Sequence, residues 1–83
     1  MQYPKLTKKE KVEKVVNVLN DSIEQYGYFD VYLKDMSVIW GKKFELNYVG
    51  KEPYILIMDI NNKAYANIKL KSIKQIGAIT FSI

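Results

Sequence analysis

The hydrophobic period of the chain changes once, at Gly27, and that change dictates a helix followed by strands. Before it, Val12, Val15, Val16, Leu19 and Ile23 recur at spacings of three and four. They form one apolar stripe of an amphipathic helix. Thr7 and Glu10 have the spacing of a capping box, in which a hydroxyl and a carboxylate satisfy each other's backbone amides. Gly27 supplies the left-handed stop. The spacing predicts a helix over residues 8–25.

After Gly27 the period is two. Phe29, Val31 and Leu33 alternate with Asp30, Tyr32 and Lys34, a half-buried strand over 29–34. Asp35-Met36-Ser37 makes a turn. A second strand is expected over 38–48, interrupted by Gly41 as a bulge or a sharp bend would interrupt it. Tyr54 to Ile60 is almost continuously apolar. It reads as a central strand over 54–60, buried on both faces or covered by the helix. Asn61-Asn62-Lys63 is a tight hairpin, since asparagine tolerates positive φ. A fourth strand, 64–71, turns Ala64, Ala66, Ile68 and Leu70 inward and Tyr65, Asn67, Lys69 and Lys71 outward. Ser72 to Gln75 reads as a turn and 76–83 as the last strand. The expected fold is α+β in one domain over 1–83. It has an N-terminal helix, then a five-stranded antiparallel small barrel or strongly bent sheet.

This order resembles small barrels of the Sm-like and YolD-like type, which are SH3-like in shape. The residues that carry the likeness are Asp30 to Asp35, Gly41 in strand two, Tyr54 to Asp59, and Ile68 to Ile76 with its Ile73-x-x-Ile76 ending. Asn47-Tyr48-Val49-Gly50 stands where Sm proteins carry an Asp-x-x-Met-Asn type motif, and the later basic-glycine pair is missing. The ring pocket for RNA is therefore not carried over. The YolD-like resemblance implies an accessory role beside a translesion DNA polymerase.

Eighty-three residues without cysteine or histidine exclude disulfides, thiolate metal sites, thiol nucleophiles and imidazole acid–base chemistry. No cofactor or metal is expected, and the chain reads as no enzyme. No EF-hand spacing and no phosphate-cradling glycine loop is present. So short a chain buries only about 60% of its unfolded surface. A well-packed core or a partner, such as a second copy in a homo-oligomer, must supply the rest. No apolar run reaches the length of a membrane span. The expected address is the cytoplasm, with no membrane partner.

The net charge is +4, and all thirteen basic residues are lysine. Lysine offers point charges rather than the guanidinium fork that reads guanine or phosphate bidentately. Ten isoleucines, six asparagines and seven tyrosines accompany the lysines, the usage of an AT-rich source such as a low-GC bacterium, phage or mobile element.

Two binding surfaces are candidates. Residues 30–83 hold eight lysines against five acids. Tyr32, Lys34, Lys43, Tyr65, Lys69 and Lys71 mix aromatic and basic side chains, as single-strand-binding barrels do. Alternatively, these tyrosines simply favour strands and shield their cross-strand neighbours. Lys5, Lys8, Lys9, Lys11 and Lys14 form either a phosphate-facing stripe or an ordinary solvated helix face. Trp40, Phe44 and Tyr48 are candidate anchors for a protein partner. Trp40 reads equally as a core residue beside the bend. The expected partner is nucleic acid, single-stranded and bound with little sequence specificity. The alternative is a host or partner protein that a phage or mobile-element accessory protein would modulate.

Overall fold

The computed structural model describes residues 7–81; Lys5, Ser82 and Ile83 lie outside the described residues. The helix α1 runs Lys8–Tyr26. Its capping box is formed, with the Glu10 amide donating to Thr7 Oγ1 and the Thr7 amide donating to Glu10 Oε1, each at 3.1 Å. Gly27 ends the helix at φ 80°, and its amide donates to the Ile23 carbonyl at 2.8 Å. The two ends named from sequence therefore hold, within one residue at the C-terminus.

Among the described residues seven strands follow rather than five: β1 Phe29–Leu33, β2 Val38–Gly41, β3 Lys43–Val49, β4 Glu52–Met58, β5 Ala64–Lys69, β6 Ile73–Ile76 and β7 Ile79–Thr80. They make two antiparallel sheets, ordered β2-β1-β6-β7 and β3-β4-β5. No closed barrel forms among the described residues. The expected second strand, 38–48, is two strands in two sheets. Lys42 separates them, and Gly41 is the pivot. A Cβ on Gly41 would stand 2.6 Å from both Ile57 Cγ2 and Phe29 Cζ. Only a residue without a side chain lets the strand lie against the core there.

Three further boundaries are corrected. The strand expected over 54–60 spans Glu52–Met58 and is buried on one face only. Pro53, Ile55 and Ile57 point into the core, while Tyr54, Leu56 and Met58 are half-buried on the other face. An apolar run with a strict period-two burial pattern is an amphipathic strand whose outer residues are apolar too. The fourth strand stops at Lys69, because Leu70–Ser72 coil into a 3₁₀ turn. The expected turn at 72–75 is instead β6, which pairs with β1 through Val31–Ile76 and Leu33–Ile73. Beyond β6, only Ile79–Thr80 is strand among the described residues.

The core joins one stripe of the helix to both sheets. Val12, Val15 and Leu19 meet Phe29, Val31, Ile55, Ile57, Ile68, Leu70, Ile73, Ile76 and Phe81. No polar side chain is buried among the described residues. Burial of apolar area at about 25 cal/mol per Å² is therefore the main stabilising term. Gly41→Ala should lower stability by about 1–3 kcal/mol through overpacking against Phe29 and Ile57. Urea unfolding checks this, and an unchanged midpoint would refute the pivot.

Candidate binding seam between the two sheets

The edge strands β2 and β5 belong to different sheets and form no ladder with each other. They border one seam all the same. Ile39 of β2 and residues 66–69 of β5 line a cleft of about 510 Å³. Their immediate neighbours, Trp40 and Gly41 of β2 and Tyr65 of β5, line a second recess of about 380 Å³. The Tyr65 hydroxyl crosses the seam and donates to the Trp40 carbonyl.

The cleft is the basic end. Lys34, Lys69 and Lys71 line it, with Asp35 as the one carboxylate in its wall. Its other walls are Leu33, Ile39, Tyr54, Ala66, Asn67, Ile68 and Ser72. The backbone brings these lysines together. The Lys34 amide donates to the Ser72 carbonyl at 3.0 Å, which docks the 3₁₀ turn carrying Lys71 onto the end of β1. Lys69 is the last residue of β5, directly before that turn, and its ammonium lies 6.0 Å from the Tyr54 ring centroid. The helix adds two more cations. Burial, and then the Lys34 charge, hold the Lys11 ammonium below its ordinary pKa. Lys8 shares Glu52 with Lys71, at 3.7 and 3.8 Å. These half-exposed pairs add little to stability. Asp35 is tied up locally, its Oδ1 accepting from the Ser37 hydroxyl and amide, which lowers its pKa.

The recess is the aromatic end. Tyr28 stacks on Trp40 with ring centroids 5.5 Å apart and planes 18° apart. The Ser22 hydroxyl of α1 donates to the Tyr28 carbonyl at 2.8 Å and fixes the chain there. Trp40 is 64% exposed and Tyr65 54% exposed. The tryptophan is thus no core residue. Met58, Ile60, Lys42 and Asp59 complete the recess. Asp59 Oδ1 accepts the Asn61 and Lys63 amides, so this carboxylate shapes the β4–β5 hairpin.

Of the six residues expected to form a Tyr/Lys face, four line the seam: Lys34, Lys69 and Lys71 in the cleft and Tyr65 in the recess. Tyr32 stands apart, half-buried on the outer face of the first sheet between Val38 and Gln75. Its hydroxyl donates to Asp30 Oδ2 at 2.9 Å. Lys43 lies at the start of β3, its ammonium 2.5 Å from Asn62 Oδ1. Tyr32 and Tyr65 lie in different sheets, so they do not share one strand face.

The expected protein-anchor trio is also divided. Trp40 is exposed, Phe44 packs edge-on against core Phe29 at 6.0 Å, and Tyr48 is exposed opposite Pro53 near the far end of β3. Sequence reasoning missed Tyr28, Tyr54, Lys42 and Ile60. For Tyr28 the signal was its register: with Phe29 opposite Gly41, Tyr28 falls diagonal to Trp40.

Among the described residues, no cluster of three or more carboxylate, imidazole or thiol groups could hold a metal. No helix there is long and apolar enough to cross a membrane. Comparison with known protein families, characterised proteins and solved structures finds no match.

Two phenols, Tyr32 away from the seam and Tyr65 on it, have distinct causes for raised pKa values. For Tyr32 it is first the hydrogen bond to Asp30 and then that carboxylate's charge; for Tyr65 it is burial, then the charge of Asp59. Each ionises less readily folded than unfolded. Its contribution to stability is complete below the ordinary tyrosine value of about 10 and drains away as pH rises through the folded value. Phenolate absorbance should show Asp30→Asn returning one tyrosine toward the ordinary value while Tyr65 stays raised. A titration curve unchanged by Asp30→Asn would contradict the assignment.

Proposed function

We propose that the protein is a non-enzymatic binding module that takes a single strand of nucleic acid along the β2–β5 seam. The observation that carries this reading is that the edge strands β2 and β5 line both a basic cleft and an aromatic recess. Consecutive residues of the same two strands line both. Lysines at one end neutralise phosphates, and exposed aromatic rings at the other accept bases. Neither contact reads base identity, so sequence preference is low.

The second reading is a protein partner of a phage or mobile-element accessory factor, with Trp40 as the anchor. The apolar lining of the recess favours it, since Trp and Tyr in a largely apolar pocket are the usual energetic centre of an interface. The two readings differ in their response to salt.

Titrating the protein with oligothymidylate while following Trp40 fluorescence tests the leading reading. Saturable quenching should weaken as salt rises. Each lysine removed from the set Lys34, Lys69 and Lys71 should reduce the log–log salt slope by about 0.7. Trp40→Ala should cost about 1–3 kcal/mol of binding if one base stacks there. No quenching at low salt, or a slope unmoved by all three lysine variants, would overturn it.

A further inference from the structure

The basic cleft has features that a mere phosphate-tracking surface would not need. Its floor is apolar, made of Leu33 and Ile39 from the β1–β2 hairpin and Ala66 and Ile68 from β5. Its rim carries the three ammonium groups of Lys34, Lys69 and Lys71. Asn67 adds an exposed side-chain amide that can both donate and accept. At about 510 Å³ the cleft falls in the range of small-molecule sites, about 300–1,000 Å³, and combines an apolar body with a few placed polar groups. A ligand that satisfies both parts carries an anionic group joined to an apolar body.

We infer that the cleft is a binding pocket for one nucleotide unit, with the phosphate among Lys34, Lys69 and Lys71 and the base on Leu33, Ile39, Ala66 and Ile68. The inference rests on the nucleic-acid reading above and adds a defined subsite to it. Three ammonium groups outnumber the single carboxylate of the wall, Asp35, whose Oδ1 is already engaged by Ser37. Glu52 bridges Lys71 and Lys8 from outside the lining. A phosphate arriving in the cleft would compete with that exposed carboxylate for Lys71. The Asn67 amide supplies the only uncharged side-chain group on β5 in the cleft able to meet a base edge.

The test is methyl and amide NMR of the full chain titrated with adenosine 5′-monophosphate, adenosine and inorganic phosphate at one ionic strength. The nucleotide should shift Leu33, Ile39, Ile68 and Lys69 saturably. Adenosine alone and phosphate alone should each bind at least about tenfold more weakly, because each meets only half of the cleft. The double variant Lys34→Ala/Lys69→Ala should weaken the nucleotide by about tenfold or more, with the resonances of Trp40 and Tyr28 in place as the check on folding. A nucleotide that binds no better than phosphate would overturn the pocket, as would shifts confined to Tyr28, Trp40 and Tyr65. Oligothymidylate run in parallel separates the two claims. Oligonucleotide binding without nucleotide binding overturns the pocket and leaves the nucleic-acid reading standing. Nucleotide binding without oligonucleotide binding supports the pocket and overturns the strand-binding reading.

Discussion

The architecture depends on one close approach, that of the Gly41 backbone to Phe29 and Ile57. A side chain at this position would overlap both. With none, β2 completes its pairing to β1, and the chain swings at Lys42 into β3 and the second sheet. Phe29 and Ile57 come from different sheets, so Gly41 lets the two inner faces share one core. For a chain this short, one shared core is the economical solution, since two separate ones would each bury too little. The helix caps the arrangement with Val12, Val15 and Leu19.

The same bend leaves β2 and β5 as unjoined edges, and the cleft and the recess are lined from them. Edge strands usually need protection against pairing with other chains. Here the protection is chemical. Lys34, Lys69 and Lys71 charge one end of the seam, and the Tyr65 hydroxyl occupies the Trp40 carbonyl at the other. The charge is concentrated where the 3₁₀ turn docks on β1, so a backbone hydrogen bond, Lys34 to Ser72, helps determine where the lysines gather. The aromatic end depends on the exit from the helix, because Gly27 and the Ser22–Tyr28 hydrogen bond place Tyr28 against Trp40.

Local chemistry in the sequence was enough for the helix, its two caps, the inward set Phe29, Val31 and Leu33, and the hairpin at Asn62, whose φ is 64°. These features depend on residues within a few positions of one another. Longer-range features were not legible. Gly41 marked an interruption, but whether it bulged one sheet or divided two depended on Phe29 and Ile57, far away in sequence. Residues 72–75 read locally as a turn, because the strand with which Ile73–Ile76 pairs, β1, lies about forty residues upstream. The candidate site divided for the same reason. Period-two alternation named Tyr32 and Tyr65 as outward, and says nothing of which sheet each outward face belongs to. Lysine spacing could not show that Lys11 of the helix would stand near Lys34 after β1, or that Lys8 would share Glu52 with Lys71 of the 3₁₀ turn.

We propose that the open seam between β2 and β5 is where the protein engages a strand of nucleic acid. The most direct measurement is ultraviolet crosslinking of a uniformly labelled single strand to the intact protein, with the attached residues located by mass spectrometry. The account predicts crosslinks at Trp40, Tyr65 and Tyr28, reduced by competing single strand and by salt. Crosslinks concentrated at Tyr48, on the far end of β3, or no more with single strand than with a duplex of the same length, would contradict it.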